Sequence, residues 1–101
     1  MTKHITKYLL DSRWGESDIQ VPRSSEVLGV ERTDFGVYVH MLVPGDIFGD
    51  EDISSFDRVS RTFRSCDMGS NISFDTDIQY KYVGHVSNLD GGLLHYFERM
   101  H

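Results

Sequence analysis

The sequence predicts a mostly β protein: an antiparallel, hairpin-built sheet of about six strands, arranged as a sandwich or a partly closed barrel, with at most one short helix. Three observations predict it. Short runs rich in Val, Ile, Thr and Tyr alternate apolar and polar side chains, the two-residue period of a strand that buries one face. Clusters of Gly, Pro, Asn and Asp separate these runs and supply turn chemistry. No long segment repeats apolar residues every three to four positions, so no crossover helices are available to build a parallel sheet.

Taken in order, residues 4–10 carry Ile5, Thr6, Tyr8 and Leu9 and read as a strand. A polar break follows over residues 11–17, holding the lone Trp14. Residues 18–22 form a short strand ended by Pro22, whose missing N–H suits an edge position. In residues 26–33, strict alternation pairs Leu28 with Val30 on one face and Val27 with Gly29 on the other. Asp34-Phe35-Gly36 turns the chain, with Gly36 suited to positive φ. Residues 37–43 return with Val37, Val39, Met41 and Val43 on one face.

Pro44-Gly45 stops that strand, and residues 45–57 read as an acidic loop with room for one helical turn near Asp52 to Phe56. Residues 59–66 resume strand character, placing Arg61, Phe63 and Ser65 opposite Thr62, Arg64 and Cys66. A second connection spans residues 67–77. The last hairpin pairs residues 78–86 with 93–99 across Asn88-Leu89-Asp90-Gly91-Gly92. Alternation there groups Ile78, Tyr80, Tyr82 and Val86, and on the return strand sets Leu93, His95 and Phe97 against Leu94, Tyr96 and Glu98.

At 101 residues the chain is expected to be one β-rich domain, residues 1–101, with a single modest core. Twelve aromatic residues supply buried area that the 39% apolar fraction alone would leave short. Cys66 is the only cysteine, so no intrachain disulfide can form and the reducing cytoplasm is the expected location. No apolar run is long enough to span a membrane, and no secretory leader is read. The Asn71-Ile72-Ser73 sequon is then coincidental. A net charge of −6 disfavours duplex nucleic acid, whose binding needs clustered cations to displace counterions.

Several segments together resemble a family of small uncharacterised proteins of bacteriophages and prophages. The resemblance runs through Lys7-Tyr8, Ile19-Gln20-Val21-Pro22, Val27-Leu28-Gly29-Val30 and the strand leading into Pro44. It continues in Arg61-Thr62-Phe63 with Met68-Gly69, in Tyr82-Val83-Gly84-His85-Val86, and in Gly91-Gly92-Leu93-Leu94-His95-Tyr96-Phe97-Glu98. The acidic stretch at 45–57 is longer than this pattern, and the glycine turn after Arg64 is only partly kept. The resemblance implies no activity. It implies a phage setting, the cytoplasm of an infected host, and action by binding host or defence components.

Candidate chemistry is sparse. His40 and His95 lie mid-strand and would approach each other if the sheet closed, but no pair of ligands has close metal-site spacing, so no metal or cofactor is expected. Nothing near Cys66 signals a nucleophile, and a free cysteine is usually a small buried hydrophobe. The acids crowd loops instead of facing each other across a cleft, as paired-carboxylate hydrolysis requires. Asp46, Asp50, Glu51 and Asp52 lack the alternate spacing and distal glutamate of an EF-hand. They read as a solvated loop or as a patch facing a protein partner. Arg61 with Tyr80 or Tyr82 could cradle a phosphorylated or nucleotide ligand by charge-assisted bonds and stacking.

The expectation is therefore a non-enzymatic accessory protein that binds a host macromolecule, a use of which is to counteract a bacterial defence system. The alternative is a protein that binds or sequesters a nucleotide, for which a homodimer is one arrangement.

Overall fold

The computed structural model describes residues 2–10, 15–45, 57–67, 77–87 and 92–100. They form seven strands: β1 (Lys3–Leu10), β2 (Glu16–Pro22), β3 (Glu26–Thr33), β4 (Gly36–Pro44), β5 (Arg58–Asp67), β6 (Gln79–Ser87) and β7 (Leu93–Met100). Each begins and ends within two residues of the bounds that alternation predicts. No helix occurs among the described residues; the expected helical turn at 52–56 lies outside them, as do Trp14 and the turn residues 88–91.

Two antiparallel sheets result, in strand orders β1-β4-β3 and β2-β5-β7-β6. Among the described residues, only β3–β4 and β6–β7 are hairpins of consecutive strands. The first two strands do not pair with each other: β1 joins β4 in one sheet and β2 joins β5 in the other. The predicted edge position of the strand ending in Pro22 is observed, since β2 has β5 as its one neighbour.

The sheets pack face to face, and the inner faces are those the sequence pattern marks as apolar. Val39, Met41 and Val43 of β4 meet Ile19 and Val21 of β2, Phe63 of β5, and Val86 and Tyr96 of β6 and β7 in one core. Phe63, Met41, Val21 and Val39 are completely buried. Their withdrawal from water, about 1.5–3 kcal/mol for each large side chain, is the main drive for sheet stacking.

One pair of edges nearly closes. Along the seam between β3 and β6, Arg32 Nη1 donates to the Ser87 carbonyl at 2.9 Å. Gly84 lets the strands approach, because a Cβ there would lie 3.3 Å from Val30 Cγ2. No backbone ladder joins β3 to β6, so the structure is a sandwich with one narrowed side instead of a closed barrel.

Both seam strands carry a bulge, and each bulge overturns part of the expected alternation. The β3–β4 register shifts between Val27 and Gly29, so Val27 and Val30 both face the core while Leu28 stands 51% exposed. The β6–β7 register shifts between Tyr82 and Gly84, which turns Val86 inward and leaves Tyr82 outside. One extra residue reverses every side chain beyond it, and bulges favour sheet edges.

The turns obey local chemistry. Gly36 adopts φ +133°, as the hairpin at residues 34–36 requires. The Thr33 hydroxyl accepts from Phe35 N–H and donates to the Gly36 carbonyl, both at 3.1 Å. Between β2 and β3 the Ser25 hydroxyl donates to the Pro22 carbonyl at 2.6 Å. His4 Nδ1 donates to the Gly45 carbonyl at 2.7 Å, tying the start of β1 to the end of β4.

Candidate functional site

Strand β5 carries arginines on both faces, and the two faces have different fates. Arg61 has the parity of buried Phe63 and points inward. Its guanidinium forks onto Glu98: Nη2 donates to Oε1 at 2.8 Å and Nε donates to Oε2. Its remaining Nη1 donates to the Ser25 carbonyl at 2.6 Å. Glu98 is 5% exposed, so an unpaired carboxylate there would be costly; the bidentate fork satisfies both of its oxygens. Arg61 thus pins β5 to its sheet neighbour β7 and to the turn between β2 and β3.

Tyr80 and Tyr82 lie on the other side. Register pairs Tyr80 with Arg99 and Tyr82 with Phe97, residues whose parity is opposite to that of inward-facing Tyr96 and Glu98. Within one copy of the chain, Arg61 and the two tyrosines therefore do not line one pocket. They stand on opposite faces of one sheet, with its backbone between them. Asp46, Asp50, Glu51 and Asp52 lie outside the described residues.

The outer face of the four-stranded sheet gathers a different set. Register places Cys66, His95 and His85 in one row across β5, β7 and β6, and Arg64, Phe97 and Tyr82 in the next. The Tyr82 hydroxyl lies 2.9 Å from His95 Nδ1 and 3.2 Å from His85 Nδ1. One hydroxyl donates once, so one imidazole accepts from it and the other donates to it. The Tyr82 ring meets Phe97 edge-on, with centroids 5.3 Å apart, and the two imidazole rings lie 5.7 Å apart. Tyr82 remains 48% exposed. Tyr82 and His85 are exposed, His95, Phe97 and Arg64 are half-buried, and Cys66 is buried.

The β6 bulge assembles this cluster. Residues three apart on a regular strand face opposite ways, so Tyr82 and His85 could not touch. Insertion of Val83 brings them to one side. Strict alternation groups Tyr82 with Val86 and sets His85 opposite, which is why the sequence reading missed His85, His95 and Phe97 as companions of Tyr82. The adjacent Val83-Gly84, a glycine within a strand, is the signal that could have found the bulge.

The remaining candidates separate. His40 is on β4 of the three-stranded sheet and His95 on β7 of the other, so the approach expected on sheet closure does not occur. His40 Nε2 is instead 3.5 Å from Glu31, shielded from water and without a hydrogen-bond partner. It borders an open cleft of about 590 Å³ along β3, lined also by Ile5, Leu28, Val30 and Val86. Among the described residues no three His, Cys, Asp or Glu side chains converge to hold a metal ion. Burial pushes the Cys66 thiol above its ordinary value, with Arg64 opposing and Asp67 adding to the shift, so the nucleophilic thiolate is disfavoured.

No helix among the described residues is long and apolar enough to cross a membrane. Compared with known proteins, the chain matches no family model, no curated protein and no solved structure at a significant level.

Proposed function

We infer that this chain is a non-enzymatic binding protein whose partner is a host macromolecule, met in the cytoplasm of an infected bacterium. The observation that carries this reading is the exposed Tyr82–His85–His95–Phe97 platform on the outer face of the four-stranded sheet. Tyrosine with an apolar body and a polar tip, flanked by Arg64, is the composition that concentrates binding energy at protein interfaces. The resemblance to phage proteins supports the setting, and counteracting a defence system is the corresponding use. The acidic residues Asp46, Asp50, Glu51 and Asp52 are a second proposed contact, suited by charge to a basic protein partner.

The test is capture from host lysate with the tagged chain, run beside two variants. One partner held by the wild type, and lost with Tyr82→Ala and with reversal of Asp50, Glu51 and Asp52, is expected. Capture that survives both variants would sink this surface.

A second reading has one observation in its favour: Tyr80 and Tyr82 share their face with Arg64 and Arg99. A nucleotide base could stack there while an arginine holds its phosphate, a role that Arg61 is too engaged to fill. This reading expects a thermal shift with one member of a nucleotide panel, abolished by Arg64→Ala. A flat response across the panel removes it.

A further inference from the structure

The opposite outer face, that of the three-stranded sheet, is organised in columns. β4 supplies a central column of Tyr38, His40 and Leu42. Beside it β1 contributes Lys3, Ile5, Lys7 and Leu9, and β3 contributes Glu26, Leu28 and Glu31. Ile5, Leu9 and Leu28 are exposed by 60%, 41% and 51%, an apolar load on a face that no other described strand covers. Both lysines lie on one flank and both glutamates on the other. Lys7 Nζ sits 4.5 Å above the Tyr38 ring, and Lys7 and Glu31 belong to strands that β4 separates.

This pattern is self-complementary under one operation. A two-fold axis running along β4 in the plane of contact lays β1 of one copy over β3 of the other. Lys7 of each copy then falls between Glu26 and Glu31 of its mate, and the central columns face each other. A two-fold axis across the strands would set lysine on lysine and glutamate on glutamate. Charge therefore selects the first arrangement and rejects the second.

We propose that this face is the contact of a symmetric homodimer, with the occupant of the apolar stripe being a second copy of the chain. Three strands about 4.8 Å apart and about 27 Å long give a face of roughly 400 Å² per copy. Doubled, this is roughly 800 Å² before side chains widen it, the size of a weak and transient contact, so association is expected to depend steeply on concentration. It leaves the Tyr82 platform uncovered and stands independently of the function assigned to that platform.

The measurement is molar mass in solution by sedimentation over a concentration series. The wild type is expected to rise with concentration from 11.6 kDa towards twice that mass. Lys7→Glu and Glu31→Lys, each verified as folded by circular dichroism, weaken association about tenfold or more. Mixing the two variants restores it, because each glutamate at position 7 then meets a lysine at position 31 and the reverse pairing is also attractive. Misfolding cannot produce that rescue. A wild type that stays at 11.6 kDa overturns the proposal. So does association that ignores both charge reversals, or a mixture that fails to recover; a face that binds only lipid vesicles or a foreign protein would show itself in the first way.

Discussion

Arg61 and Arg64 stand three residues apart on one strand and do opposite things. Arg61 faces inward, and its guanidinium is spent on buried Glu98 and the Ser25 carbonyl. Arg64 faces outward, half-buried beside Phe97 in the row that ends at Tyr82. The residue type is the same, as are the strand and the neighbouring strand. Strand parity decides which arginine points into the core and which lies on the outer face.

The largest effect that sharpens this comparison is on the inner side. Arg61→Ala leaves the Glu98 carboxylate buried without its fork, a change expected to cost about 3–5 kcal/mol. The midpoint of urea unfolding should fall steeply, with the slope little changed. Replacing both partners, Arg61→Met with Glu98→Leu, should recover most of the loss, because an apolar pair of similar volume satisfies the same space. If Arg61→Ala shifts the midpoint no more than a surface substitution does, the inner row is not the structural element described here.

Legibility in the sequence follows the same division. The core face of β4 is readable because Val37, Val39, Met41 and Val43 alternate without interruption, and Val39, Met41 and Val43 are buried. Phe63 and Tyr96 are readable for the same reason. The pairing of Arg61 with Glu98 is not, since it joins residues 37 positions apart through a strand order that alternation does not encode. The platform is not readable by alternation, because at Val83 a single inserted residue brings Tyr82 and His85 together. Leu28 is the matching case on β3. Periodicity fixes faces only while the period holds, and both bulges sit on strands at the seam.

A smaller effect tests how dry the inner layer is. Burial pushes the Tyr96 phenol above its ordinary value of 10, with Arg32 pulling it back in part and Asp67 adding to the rise. Burial likewise raises Tyr8, opposed by Arg58. The folded state therefore favours the protonated phenols more than the unfolded state does. Their contribution is fully present below pH about 10 and is lost as pH rises through the folded-state values. Stability against urea should decline above pH about 10, and Tyr96→Phe should flatten that decline without abolishing it, since Tyr8 remains. An unchanged alkaline limb in Tyr96→Phe would mean that the phenol is not in the dry layer.

The smallest effect on stability is expected on the outer side, and it carries the most information about recognition. Arg64 and Tyr82 contribute side chains to an open face, while the ladder that holds β5 to β7 and β7 to β6 is made by the backbone. Arg64→Ala should therefore cost less than about 1 kcal/mol. Tyr82→Phe keeps the ring against Phe97 and removes only the hydroxyl shared by His85 and His95, again for less than about 1 kcal/mol because that group is exposed. The nitrogen chemical shifts of the two imidazoles should nonetheless change in Tyr82→Phe, since each loses its Nδ1 partner. Set beside Arg61→Ala in the same urea series, these variants should separate by several kcal/mol while ranking in the reverse order for ligand or partner binding. A loss from Arg64→Ala as large as that from Arg61→Ala would erase the distinction between the two faces of β5, and would make the outer row a second structural element instead of a surface for recognition.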